Sequence, residues 1–157
     1  MTDLSTTVDS FIDFARDAAP RLRRALVAAY GEQEGREGMA EAMAYAWEHW
    51  DRIQGMENPI GYLYRVGRSR GLWGFRRPVR LPRLDPPNEQ PWIEPALPRA
   101  LEQLSKRQRT AVLLVKGYGC TYQEVADILG LSPNTIHKHV DRALAKLRND
   151  LQVGADD

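Results

Sequence analysis

Apolar residues recur along most of the chain at intervals of three and four, the spacing of a helix that buries one face. Nearest the N-terminus, Phe11, Phe14, Ala18, Leu22, Ala25, Leu26 and Ala29 follow a period near 3.6, with Ser10 or Asp9 placed to cap the helix. Pro20 falls inside this run. Proline lacks an amide hydrogen and crowds the preceding turn, so the pattern predicts a short helix to about Ala19 and a second from about Pro20, closed by Gly31. After a polar loop, Met39, Met43, Ala46, Trp47, Trp50 and Ile53 mark another amphipathic helix, whose aromatic stripe reads as core. Residues 58–77 carry Ile60, Leu63, Val66 and Trp73 for packing. Gly61, Gly67, Gly71 and Gly74 interrupt this stretch, each costing about 1 kcal/mol relative to alanine inside a helix, so it is expected to be intrinsically weak.

Prolines then crowd the chain up to Pro98 and exclude regular structure. The chain therefore divides into a helical domain over 9–76, a Pro/Arg-rich linker over 77–96 and a second helical domain over 97–151, an all-α protein of two small domains. In the second, Leu97–Leu104 and Ser105–Lys116 read as helices, the latter capped by Ser105 with Val112, Leu113 and Val115 on its core face. The motif that follows is a helix-turn-helix. Thr121 and Glu124 form a capping box, and Val125, Ile128 and Leu129 share a face. Gly130 suits a left-handed stop, and Ser132 caps the next helix with Pro133 in its first turn.

Along that last helix Ile136, Val140, Ala143, Leu144 and Leu147 form the buried stripe, which turns Asn134, Thr135, Lys138, Asp141 and Arg142 outward. An amide, a hydroxyl and long cations on one exposed face suit a major groove, where they can read base edges or grip phosphates. The charge distribution adds a second candidate surface. Residues 1–58 hold 6 Lys+Arg against 11 Asp+Glu, whereas 59–94 hold 7 against 3 and 95–157 hold 9 against 7. Between Glu57 and Asp85 there is no acidic residue, while Arg65, Arg68, Arg70, Arg76, Arg77, Arg80 and Arg83 accumulate among aromatics. That mixture suits a strand whose bases stack while its phosphates meet cations.

Other chemistries find no support. Cys120 is the sole cysteine, without a disulfide partner or zinc-ligand spacing, and His137 and His139, two apart on a helix, point to different sides. No nucleophile elbow, phosphate-binding glycine loop or zinc-protease pattern is present, so no catalytic residue, metal site or cofactor is expected. The first residues are polar and acidic, no basic segment leads into an apolar run, and no apolar window approaches a membrane span. A cytoplasmic protein is expected.

The order of these segments resembles the bacterial RNA polymerase sigma factors of the sigma-70 family, in particular the small two-domain extracytoplasmic-function group. FARDAAPRLRRA from Phe14, MAYAW from Met43 and YLYRVGR from Tyr62 look like region 2. LSKRQRTAVLL from Leu104, YQEVADILGLS from Tyr122 and RALAKLR from Arg142 look like region 4. The resemblance implies core RNA polymerase and promoter DNA as partners, with an anti-sigma factor as a further candidate. It gives Asn134, Thr135, Lys138 and Arg142 a role at the duplex minus-35 element, and Tyr62, Tyr64, Arg65 and Arg68 a place near the opened minus-10 strand. Glu37, Glu41 and Trp47 become the candidate polymerase-binding surface.

The chain departs from the family where Glu37 and Ala40 replace its usual Asp and Gln, and where Ser69 and Trp73 replace its usual Asn and Asp. LSPNTIHKHV from Leu131 also fits a LuxR-like output domain. A sigma-like decoy that binds protein without initiating transcription is a further alternative.

Overall fold

The computed structural model describes residues 3–71 and 95–155. All of the expected linker except Pro95 and Ala96 lies outside these residues. The N-terminal half comprises α1 (Leu4–Tyr30), α2 (Glu32–Glu48), α3 (Trp50–Ile53) and α4 (Pro59–Gly71). The C-terminal half comprises α5 (Leu97–Glu102), α6 (Lys106–Val112), a π-helical turn (Leu113–Gly117), α7 (Tyr122–Leu129) and α8 (Pro133–Ala155).

Helix α1 departs from its sequence expectation at both ends of the argument. It begins at Leu4, capped by the Asp3 carboxylate accepting the Ser5 amide at 3.3 Å, rather than at Asp9 or Ser10. It also runs unbroken through Pro20. An internal proline costs roughly 3 kcal/mol. Ala18, Leu22, Ala25, Leu26, Ala28 and Ala29 are all buried along one stripe, and each fully buried leucine alone contributes roughly 1.5–3 kcal/mol, enough to carry the helix across the defect.

Gly31, at φ 93°, stops α1 as expected, but no polar loop follows. Helix α2 begins at Glu32, with Glu32 and Glu34 in its first turn, where acidic groups complement the helix dipole. The aromatic stripe of this region is split. Helix α2 ends at His49 and α3 restarts at Trp50, whose ring is buried against Phe11 and Phe14 with centroids at 5.4 and 5.0 Å. Trp47, read as core, is 46% exposed, with only one side resting edge-on against Phe11.

The glycines of α4 serve packing rather than merely weakening the helix. A Cβ on Gly67 would stand 2.7 Å from the Gly38 carbonyl oxygen, and one on Gly38 would stand 3.0 Å from the Gly67 carbonyl oxygen. The two helices therefore cross backbone to backbone, which only residues without side chains permit.

In the C-terminal half, Ser105 with Gln108 and Thr121 with Glu124 each form a complete capping box. Ala100, Leu104, Val112, Ala143 and Leu147 make a small cluster of their own. The larger core crosses between the halves, joining Leu22, Leu26, Ile53 and Leu63 with Leu114, Val125, Ile128, Ile136 and Val140.

Polar contacts seal the same seam. Arg109, 2% exposed, donates from Nε to the Ala28 carbonyl and from Nη2 to the Ala29 carbonyl, both at 2.6 Å, and from Nη1 to Leu104 O at 3.2 Å. From the other side, Asn58 Nδ2 donates to the Asp127 carbonyl at 2.8 Å.

Candidate nucleic-acid interface

The helix-turn-helix is assembled by local chemistry. Thr121 Oγ1 accepts the Glu124 amide at 3.1 Å while Glu124 Oε2 accepts the Thr121 amide at 3.2 Å, so α7 starts with its end donors satisfied. Gly130, at φ 67°, ends α7, and the Leu131 amide returns to Ala126 O at 3.0 Å. Ser132 Oγ then accepts the Thr135 amide at 3.2 Å and opens α8. Ile136, Val140, Ala143 and Leu147 are buried and fix the rotation of α8. The His137 ring stacks on Tyr122 at 3.6 Å with planes 13° apart, a second tie between the two motif helices that the sequence pattern did not reveal.

With that rotation fixed, Asn134, Lys138 and Arg142 are exposed at successive four-residue steps, one edge of α8 open to a groove. Thr135 is differently placed. It is half-buried, and its hydroxyl is 2.8 Å from that of Ser132, so it belongs first to the cap.

The α4 residues expected near a DNA strand differ in burial: Arg65 and Arg68 are exposed, Tyr62 is half-buried and Tyr64 is buried. Tyr62 joins a surface cluster, its hydroxyl 3.1 Å from that of Tyr45, with Arg52 Nη2 donating to both. Arg70 lies 4.7 Å over the Tyr45 ring, whose other neighbour is the stacked ring of His49 at 4.1 Å. The bond to Tyr62, aided by the Arg52 and Arg70 charges, lowers the Tyr45 pKa. The same bond and burial raise that of Tyr62. The meeting of Tyr45, His49 and Arg52 with Tyr62 was invisible in the sequence because α2, α3 and α4 come together there only in the fold.

Arg65 is exposed and its guanidinium stands over the turn, with Nη1 3.3 Å from where a Cβ on Gly130 would lie. Tyr64 departs from expectation. Only 5% exposed, it faces the seam between the halves, where burial raises its pKa, and its ring is not open to stacking in this arrangement. Together with Arg68, Tyr30, Lys106, Arg107 and Thr110 it lines a cleft of about 160 Å³.

On the opposite flank Glu37, Glu41 and Trp47 are all exposed. Among the described residues, Glu37 accepts the Gln33 amide at 3.4 Å. Among the described residues there is no cluster of side chains suited to a metal ion and no helix long and apolar enough to cross a membrane. Burial raises the pKa of the free Cys120 thiol, which disfavours the reactive thiolate.

His139 supplies a pH prediction. Both its ring nitrogens are buried without a hydrogen-bond partner among the described residues, and burial, then the Arg107 and Arg142 charges, lower its pKa. The unfolded chain therefore takes up a proton more readily, so the stability held in neutral His139 is complete above about pH 6.5 and is lost as pH falls below it. Thermal melts between pH 7.5 and 5.5 are expected to show this loss, and His139→Gln should reduce it. An unchanged pH profile in the variant would assign the dependence to another group.

Residues 95–147 match the family model for sigma-70, region 4. Over 152 residues the chain is 28% identical to an RNA polymerase sigma-E factor of Streptomyces coelicolor, covering 91% of this chain and 85% of that protein. A sigma-E factor of Streptomyces avermitilis is 26% identical, with 92% and 84% covered. The fold resembles that of the sigma factor RpoE of Bartonella quintana, solved in complex with the anti-sigma factor NepR, at a TM-score of 0.63 and 20% identity over 92% of this chain and 98% of that one. A sigma-70 region 4 motif over residues 95–147, and a likeness to RNA polymerase sigma-E factors that runs through both helical halves, are what this chain shares with known proteins.

Proposed function

We propose that the protein is a transcription initiation factor that binds core RNA polymerase and directs it to particular promoters. The observation that carries this reading is the open edge of α8, Asn134, Lys138 and Arg142, on a helix-turn-helix matching sigma region 4. Lys138 and Arg142 supply phosphate affinity, and Asn134 supplies an amide able to pair with an adenine edge. The N-terminal half supplies the polymerase-binding surface through Glu37, Glu41 and Trp47. Tyr62, with Arg65 and Arg68, meets the opened strand.

The protein acts in the cytoplasm, without catalytic residues or a cofactor of its own. An anti-sigma factor is a natural regulator, as NepR is bound to the relative from Bartonella quintana. A LuxR-like output domain would account for α7 and α8 alone, whereas the likeness to the Streptomyces coelicolor protein extends over 152 residues.

The test is capture of core polymerase by the tagged full chain, followed by transcription from a promoter library. Promoter-dependent transcripts are expected. Capture without transcripts would instead identify a decoy. Reversing the charge of Glu37 and Glu41 together is expected to weaken polymerase binding about tenfold while leaving the melting temperature unchanged, since both are exposed. Unaltered affinity would move the interface elsewhere.

A further inference from the structure

The cleft of about 160 Å³ is lined by donors and cations and by no carboxylate. Arg68, Lys106 and Arg107 stand at its exposed mouth, and the ion pairs among the described residues, Arg16–Asp13, Arg21–Asp17 and Arg36–Glu32, involve none of them. Lys106 Nζ lies 4.8 Å from the centre of the Tyr30 ring, which draws the ammonium over the opening.

The floor differs from a solvated basic surface. Tyr64 lines the cleft although it is only 5% exposed, and no hydrogen bond among the described residues engages its hydroxyl. Burial raises the pKa of both Tyr64 and Tyr30, so each stays protonated and able to donate. Thr110 is already committed, its hydroxyl donating to the Lys106 carbonyl at 2.7 Å. A buried donor without a protein acceptor, facing a mouth of cations, calls for an acceptor from outside.

We infer that this cleft binds a small phosphorylated ligand through a diphosphate group, with Arg68, Lys106 and Arg107 on its charges and the Tyr64 hydroxyl donating to an inner oxygen. Guanidinium forks match phosphate oxygens, and a monophosphate, at about −1.5 to −2 near pH 7, leaves part of the cationic charge unmatched. Sites that enclose an entire small molecule occupy roughly 300–1,000 Å³. This cleft is smaller, so it takes the charged end and leaves the remainder of the ligand in solvent. The inference does not rest on the proposed promoter role.

Calorimetric titration of the full chain at fixed ionic strength tests it, with inorganic pyrophosphate as the probe. Pyrophosphate is expected to saturate one site and to bind about tenfold or more tightly than inorganic phosphate or citrate. Adenosine diphosphate should compete with it. Lys106→Gln, Arg107→Gln and Tyr64→Phe should each weaken pyrophosphate about threefold or more, as loss of a partly exposed charged contact predicts. Arg148→Gln removes an exposed cation outside the cleft and should change nothing.

Citrate binding as tightly as pyrophosphate, or Arg148→Gln weakening it as much as Arg107→Gln, would reduce the cleft to diffuse charge and overturn the site. A single-stranded 12-mer that displaces pyrophosphate better, mole for mole, than adenosine diphosphate would assign the cleft to nucleic acid and overturn the small ligand. If Tyr64→Phe melts well below the parent protein, Lys106→Gln and Arg107→Gln decide.

Discussion

Gly67→Val is expected to destabilise the protein by about 3 kcal/mol and lower its melting temperature by roughly 6–12 °C. The new Cβ would fall 2.7 Å from the Gly38 carbonyl oxygen and 3.0 Å from Leu26 Cδ1, and the first of these is backbone that cannot rotate away. Even Gly67→Ala should destabilise. Helix propensity alone forecasts the opposite, a gain of about 1 kcal/mol, so the sign of the change separates a close helix crossing from a merely weak helix. Gly55 provides the control, since its added Cβ would meet only Arg52 O at 3.9 Å. Denaturant melts of the three variants measure all of this. A more stable Gly67→Ala protein would show that α2 and α4 do not approach as described.

Asn134→Ala and Lys138→Ala are expected to weaken promoter binding in different ways. Asn134 stands exposed near the start of α8, and its loss should cost roughly 1–3 kcal/mol concentrated at one base pair. Lys138, one turn further along the same edge, should weaken every duplex alike and reduce the salt slope by about one unit. Footprints and salt titrations of the polymerase complex distinguish these outcomes. Wild-type behaviour in both variants would remove α8 from the reading role. Thr135 should contribute less than Asn134, because its hydroxyl sits beside that of Ser132 in the cap.

The features legible in the sequence were those decided within a few residues. Thr121 with Glu124, Gly130 and Ser132 each satisfy their own neighbours, so the helix-turn-helix and the outward edge of α8 could be derived without tertiary knowledge. Pro20 misled because its local cost is offset by burial contributed from α2, α4 and the C-terminal half. Trp47 and Trp50 share an apolar pattern, but the break at His49 sends Trp50 inward and leaves Trp47 at the surface. The burial of Tyr64 was hidden for a related reason: the residues that share its cleft include Thr110 and Leu129, more than forty positions away. Arg109 gave no signal at all, since a buried guanidinium directed at two carbonyls of a distant helix follows from no local pattern.

The cap on α1 also has an order in time. Arg109 lies 81 residues after Ala28, so at roughly 5–20 residues per second the ribosome finishes α1 about 4–16 s before the side chain that closes its end has been made. Every newly synthesised copy therefore passes through an interval in which α1 to α4 exist without their C-terminal complement. The apolar residues Leu22, Leu26 and Leu63 meet Leu114, Ile128 and Ile136 only at the end of that interval. The nascent N-terminal half thus presents its seam surface to the cell before the mature protein covers it, and shielding that surface during synthesis falls to whatever meets the chain at the ribosome exit.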